Sequence, residues 1–138
     1  TSFSEMMALP ESQLDTTYWL PWYHSMHLDT QLRIGNVSGS TATVHVFIGG
    51  TEVTPVEGIS LPAGESTRLS YPSVDDGPVQ IVSDVPVVAA ERVIYKVRGV
   101  ETSFSEMMGL PASQLDTTYW FPWYNNVHLD MQLRFGMP

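Results

Sequence analysis

The sequence predicts an all-β fold, an antiparallel β-sandwich, on three observations. Several stretches alternate apolar and polar residues with a period of two, which places one face of a strand against a core. These stretches recur at spacings of about ten residues, as in sandwich domains. The segments between them are rich in Gly, Pro, Asp and Asn, the residues that form turns. A small β-barrel is the alternative architecture with the same pattern.

The N-terminal residues predict a short helix followed by a strand. Residues 2–9 predict one or two helical turns, because a serine and a glutamate stand at capping-box spacing and Pro10 prevents continuation. Residues 16–23 are β-branched and aromatic, with a break at Pro21. A proline is tolerated where a strand has no neighbour on one side, so we expect a kinked edge strand.

The next two stretches predict a β-hairpin. Residues 27–34 alternate strictly, with leucine, threonine and isoleucine on the buried face and charged or polar residues on the other. Residues 36–40 supply turn chemistry, and residues 41–48 alternate again. Antiparallel strands joined by so short a turn usually pair with each other.

Later strands are predicted at 51–56, 59–61, 68–71, 79–82 and 87–97, with Pro86 separating the last two. The last stretch is almost continuously apolar, which is typical of a strand covered on both faces. The expected core positions across all of these strands are Leu32, Val44, Val46, Ile81, Val88 and Ile94.

One stretch of the chain occurs twice. Residues 1–35 and 102–136 are identical at 27 of 35 positions, at an offset of 101. A period near 100 residues is that of a whole small sandwich domain rather than of a solenoid unit. A chain of 138 residues is long enough for one such domain, so residues 1–138 are predicted to form a single domain. One repeat copy is then surplus, and we expect it to complete a neighbouring subunit.

Composition excludes several classes of partner. The net charge is −9 and only six residues are Lys or Arg, which argues against nucleic acid and anionic membranes. No apolar run approaches the ~18–20 residues of a membrane span, so no membrane insertion is expected. The chain contains no cysteine, which removes disulfides and thiolate chemistry. It opens without a methionine or a leader, which predicts a processed chain or a fragment.

Four stretches carry a resemblance to a known family. Residues 36–44, 61–66, 82–95 and 119–126 resemble the immunoglobulin-like tandem repeats of secreted bacterial surface proteins. The resemblance implies an immunoglobulin-like β-sandwich and a location outside the cell or on the bacterial surface. It brings no catalytic residues with it. The difference lies in copy number, because those proteins carry several complete repeats and this chain carries one.

Polar clusters in the sequence could hold a metal, but the patterns are weak. His24, His27 and Asp29 include two zinc-type ligands on one strand face, yet His24 is replaced by asparagine in the second copy. Asp75, Asp76 and Asp84 lack the regular ladder of a calcium loop. No nucleophile elbow is present, and no two carboxylates stand in a setting that suggests acid–base catalysis. We therefore expect no enzyme activity, no metal and no cofactor.

Aromatic residues in the two copies predict an assembly surface. Flat rings near Asn and Asp could stack on sugars, but such clusters more often bury their area in interfaces. The predicted anchors are Tyr18, Trp19, Trp22, Tyr23, Tyr119, Trp120, Trp123 and Tyr124. Separately, Asn36 begins an Asn-Val-Ser sequon, so it is a candidate glycosylation site.

These observations together favour a structural protein. The predicted function is a subunit of an extracellular fibre that polymerises head to tail with copies of itself, through strand addition or segment exchange by its surplus copy. The alternative is a carbohydrate-binding adhesin module, with glycans as partners.

Overall fold

The structure, a computed structural model, describes residues 4–128 and 131–138. Within those residues the protein is all-β, with antiparallel sheets and almost no helix, as the sequence predicts. The helical content described is two short 3-10 turns, Glu11–Gln13 and Ala112–Gln114. The strands are β1 (Asp15–Leu20), β2 (Tyr23–His24), β3 (Asp29–Asn36), β4 (Ala42–Ile48), β5 (Thr51–Glu52), β6 (Ile59–Leu61), β7 (Ser66–Leu69), β8 (Asp75–Asp76), β9 (Val79–Val97), β10 (Val100–Met108) and β11 (Leu110–Pro111).

Strand β9 is the centre of the larger sheet, which has nine strands in the described part of the chain. Its first half lies between β1 and β4, so that Ile81 faces Tyr18 on one edge and Val46 on the other. Its second half lies between β3 and β10. The remaining members attach to these four strands, while β2 and β8 form a small sheet of their own.

A bulge divides β9 into its two halves. Pro86 was expected to separate two strands, but the structure has one continuous strand from Val79 to Val97. The register with β1 jumps here, because Asp15 pairs with Val87 whereas Thr17 pairs with Val82. A bulge tolerates proline, since its residues need not donate to the ladder.

The core is a single cluster that draws on both halves of β9. Its members include Tyr18, Leu20, Leu32, Val46 and Ile81, all at most 1% exposed. Strand β4 alternates as predicted, with its even-numbered residues buried. Because strands on both halves of β9 contribute to this cluster, the two halves share one hydrophobic core.

Four of the six predicted core residues are confirmed. Leu32, Val44, Val46 and Ile81 are buried, whereas Val88 and Ile94 are only partly covered. The inward face of β9 carries odd-numbered residues such as Val87, Ala89 and Val93, so its even-numbered residues point away from the core.

The predicted N-terminal helix is wrong over the described residues. Residues 4–10 have no regular secondary structure, and residues 1–3 lie outside the description. The same sequence in the second copy is part of β10. Strand β1 is also not a free edge, because β11 lies beside it on the side away from β9.

The predicted hairpin between residues 27–34 and 41–48 is wrong as well. The two stretches do form strands, β3 and β4, with the expected alternation. However, β3 pairs with β7 and β9, whereas β4 pairs with β5, β6 and β9. Each strand uses a different half of β9, so the loop between them carries the chain from one half to the other.

A single substitution tests the location of the core. Val46→Asp should abolish folding, because an unpaired buried carboxylate costs several kcal/mol against a total stability of roughly 5–15 kcal/mol. The matched control is Val56→Asp, since Val56 is 91% exposed. Urea unfolding followed by circular dichroism measures both. A Val46→Asp chain with the midpoint of the control would contradict the structure.

Candidate functional site

The two repeat copies lie in different environments, although their sequences are almost the same. Five apolar side chains of the first copy are core residues with 0–1% exposure, whereas their counterparts in the second copy are 44–77% exposed. The pairs are Tyr18 and Tyr119, Leu20 and Phe121, Tyr23 and Tyr124, Leu32 and Leu133, and Ile34 and Phe135. A sequence that can be buried is therefore displayed at the surface.

The tyrosines of the first copy are fixed in the core by their hydroxyl groups. The Tyr18 hydroxyl donates to the Val87 carbonyl at 2.7 Å. The Tyr23 hydroxyl donates to the Thr30 carbonyl at 2.8 Å and accepts from the Tyr71 amide at 2.7 Å. Burial raises the pKa of both hydroxyls. Both residues were predicted as assembly anchors, but in the structure they are buried and hold the subunit's own strands together.

The two tryptophans of the first copy are partly buried. Trp22 stacks on His24, with ring centroids 5.3 Å apart. The Arg134 guanidinium carbon lies 3.6 Å from the centroid of the Trp22 ring, in cation–π geometry. Trp22 therefore contacts the end of the second copy within the same chain. Trp19 lies in β1, beside β11.

The second copy is divided between two roles. Its first residues belong to the nine-stranded sheet, since β10 pairs with β9 and β11 pairs with β1. The Ser113 amide also donates to Asp15 at 3.0 Å. Beyond Gln114, the described residues contain no strand. The surplus is thus not the whole second copy but residues 115–138, which we name the C-terminal segment.

Four predicted anchors lie on the C-terminal segment and are exposed. Trp120 is 90% exposed, and Tyr119, Trp123 and Tyr124 are each about half exposed. Part of the segment lies back against the sheet and leaves a cavity of about 350 Å³, lined by Trp19, Leu20, Leu110, Tyr119, Phe121 and Phe135 among others. The segment therefore touches the sheet without being packed into it.

Glu91 is a buried acid that sequence reasoning did not select as a site. It lies on β9 in a groove of about 550 Å³, together with Trp22, Tyr95 and Arg134, and is only 2% exposed. Burial raises its pKa to about 8, and the charge of Arg134 partly opposes the rise. The signal that could have identified it in the sequence is a charged residue at an inward-facing position of an otherwise apolar strand.

The neighbouring Arg92 faces the other side of β9 and has its own partner. It forms an ion pair with Glu106 on β10, at 2.7 Å. Arg92 therefore pairs across the sheet rather than with its neighbour Glu91 on the same strand.

The candidate metal residues are engaged elsewhere. His24 pairs with Asp75 at 2.8 Å, and Asp29 lies 3.8 Å from Lys96. Asp84 accepts from the Thr43 amide at 2.7 Å. Among residues 4–128 and 131–138, no three metal-ligating side chains come together.

The candidate glycosylation site is contradicted by the geometry. Asn36 is 2% exposed, and its side-chain nitrogen donates to the carbonyls of Ser40 and Leu61, at 2.7 and 2.8 Å. Both of its protons are used to fix the loop between β3 and β4. The folded chain therefore leaves no room for a glycan on this nitrogen.

The fold defines the class of the protein as all-β with antiparallel sheets. The chain is similar in structure to the crystal structure of Thermotoga maritima 1070, with a TM-score of 0.58 and 16% sequence identity. The likeness covers 70% of this chain and 94% of the other, and it concerns the fold alone. No family model matches this chain, and the comparison with curated proteins finds no match. In the part of the chain described, no helix has the length and apolarity needed to cross a membrane.

The buried acid makes a prediction about pH. The folded-state pKa of Glu91, about 8, is above its ordinary value of 4.5, so the folded protein holds this proton more tightly than the unfolded chain. The resulting stabilisation is complete below about pH 4.5 and is lost as the pH rises through about 8. Glu91→Gln should remove this loss and should be more stable than wild type at pH 8.5 by a few kcal/mol, on the order of 1.4 kcal/mol per unit of pKa.

Urea unfolding at several pH values between 5 and 9 measures this difference. The control is Glu57→Gln, which changes an exposed carboxylate and should keep the wild-type pH dependence. If Glu91→Gln loses stability with rising pH as steeply as wild type, Glu91 does not carry the effect.

Proposed function

We propose that this chain is a structural, non-enzymatic subunit of an extracellular fibre, joined head to tail through its C-terminal segment. The observation that carries the proposal is the contrast between the two copies. The same side chains that form the core in residues 15–35 are exposed in residues 116–136. A surface of this kind is stabilised when a neighbour covers it.

The hydrophobic effect supports association through this segment. Phe121, Trp120 and Phe135 are 60–90% exposed. Burying an aromatic side chain of this size contributes roughly 1.5–3 kcal/mol. Three or four such residues could offset much of the entropy lost on association, which is estimated at roughly 4–15 kcal/mol. The net charge of −9 adds a repulsion that salt would screen.

The position of the segment favours an open assembly. Residues 115–138 would meet a different surface on the neighbouring subunit, so donor and acceptor are not the same patch. Contacts of this heterologous type build filaments unless their rotation closes a ring. Strand addition is the mode that fits, because the first copy of this sequence forms strands β1 and β3.

The proposal also covers the type of β-sandwich and the location of the protein. In it, the nine-stranded sheet forms the two layers of an immunoglobulin-like sandwich, and the bulge in β9 lets one strand serve both layers. The resemblance to repeats of secreted bacterial surface proteins favours a place outside the cell. The absence of cysteine and the low content of Lys and Arg are compatible with that location.

A carbohydrate-binding adhesin module is the second candidate, and one observation favours it. Trp120, Trp123 and Tyr124 are exposed and are followed directly by Asn125 and Asn126. Exposed rings beside amide groups suit the flat face and the hydroxyl groups of a sugar.

Truncation tests the fibre proposal. A chain that ends at Gln114 keeps β10 and β11 and should remain folded and monomeric, whereas the full chain should form fibres. Removing residues 102–138 instead would also remove most of β10, so it would not separate folding from assembly. Negative-stain imaging and light scattering measure the outcome. Fibres of the 1–114 chain, or a full chain that stays monomeric at high concentration, would contradict the proposal.

The adhesin alternative has its own measurement. On a glycan array the full chain should bind sugars, and Trp120→Ala should reduce that binding by about two- to tenfold, since a stacked ring contributes roughly 0.5–1.5 kcal/mol. Val127→Ala is a matched control, because Val127 is also exposed but carries no ring. Equal binding by both variants would remove the alternative.

A further inference from the structure

We infer that the C-terminal segment forms the opening strands of a further unit of the same fold, and that the partner covering it is a second copy of the 36–111 stretch. The inference deepens the proposed function by naming the acceptor: the slot along β9 and β7 that residues 15–36 occupy in this structure.

The local structure of the C-terminal segment already matches that of the first copy. The Asp15 amide donates to the Tyr18 hydroxyl, and the Asp116 amide donates to the Tyr119 hydroxyl. Three further contacts also recur at the offset of 101. The Thr16 amide donates to the Asp15 carboxylate, as the Thr117 amide does to Asp116. The Tyr23 hydroxyl donates to the Thr30 carbonyl, as the Tyr124 hydroxyl does to Met131. The Arg33 guanidinium donates to the Gln31 side chain, as that of Arg134 does to Gln132.

The turn before the segment recurs in the same way. The Leu14 amide donates to the Glu11 carbonyl at 3.1 Å, and the Leu115 amide donates to the Ala112 carbonyl at 3.2 Å. Both belong to a 3-10 turn. In these contacts the described part of the segment already has the local arrangement of its docked twin, which lowers the entropy cost of docking.

What distinguishes the first copy is its set of contacts to residues 36–111. The Tyr18 hydroxyl reaches the Val87 carbonyl, and the Tyr23 hydroxyl receives the Tyr71 amide. Strands β1 and β3 both pair with β9. Each of these partners lies in the stretch between the two copies. A second stretch of this kind would give Tyr119 and Tyr124 the same contacts.

The size of the unit agrees with the period of the repeat. From Asp15, where β1 begins, to Gln114, where the last 3-10 turn ends, the folded unit spans 100 residues, against a period of 101. Its two boundaries fall inside the repeated sequence, at Leu14 and at its counterpart Leu115. Each copy therefore contains the end of one unit and the start of the next.

The first residues of the chain follow the same division. Residues 105–108 lie in β10, whereas their counterparts 4–7 have no strand partner assigned. The Ser4 hydroxyl accepts from the Glu106 amide at 3.0 Å, so this part of the first copy lies against the strand formed by the second. The sequence of the closing strand is thus also present twice, and the second copy is the one that pairs with β9.

Emptying the slot in the full chain tests the inference. Leu20→Asp with Leu32→Asp places two charges in the core and should expel residues 15–36. The C-terminal segment should then fill the vacant slot, so the full-length double variant should keep a cooperative urea transition. Its midpoint should be lower than in wild type, because Phe121 is larger than Leu20 and Asn125 cannot replace the His24–Asp75 pair.

Two matched chains complete the test. The same double variant ending at Gln114 has no second segment and should show no cooperative transition. Adding Phe121→Asp and Leu133→Asp to the full-length double variant should abolish its transition too, whereas those two changes alone should leave wild-type folding unchanged, since both side chains are exposed. Loss of the transition in the full-length double variant, or its retention in the fourfold variant, would overturn the inference.

The outcome is separable from that of the fibre proposal. Folding of the double variant is measured at low concentration, whereas fibres are imaged with the wild-type chain. If the C-terminal segment restores folding but the wild-type chain forms no fibres, the acceptor stands and the fibre proposal fails. If the wild-type chain forms fibres but the C-terminal segment does not restore folding, the fibre proposal stands and this acceptor is wrong.

Discussion

The structure depends on one strand that is hydrogen-bonded along both edges. Strand β9 carries β1 and β4 on its first half and β3 and β10 on its second half, and the bulge at residues 83–86 lets it change direction between them. Every other strand of the larger sheet is attached through one of these four. Because β9 comes from the unrepeated stretch, the chain has a single set of docking edges for two copies of the segment that fits them.

That constraint explains the contrast between the copies. Residues 15–36 pair with both halves of β9 and with β7, whereas residues 102–111 pair with the second half of β9 and with β1. Neither copy is used as a whole. The C-terminal segment keeps several local hydrogen bonds of its twin but displays Trp120 and Phe121 at the surface. The apolar surface of the second copy is thus exposed because the first copy already occupies the strand edges that both could bind, and not because its sequence differs.

The sequence predicts the parts of this fold that depend on local pattern. The alternation in β3 and β4 and the burial of Val46 follow from a period of two, which is a local property. Pairing partners are not local: the predicted hairpin was wrong because β3 and β4 each pair with a different half of β9 instead of with each other. The burial of Tyr18 and the exposure of Tyr119 could not be predicted, since identical local sequences give identical local signals. Asn36 looked accessible in the sequence because only the structure shows the two carbonyls that its amide meets.

The most direct test is hydroxyl-radical footprinting of the wild-type chain at low concentration, read by mass spectrometry. The sequences around the two copies differ enough to give distinct peptides. We expect Tyr18, Leu20 and Tyr23 to be protected, and Tyr119, Phe121 and Tyr124 to be modified at rates close to those of the unfolded chain. Protection of the second set together with modification of the first would mean that the unit is built from residues 36–136, and it would contradict this account.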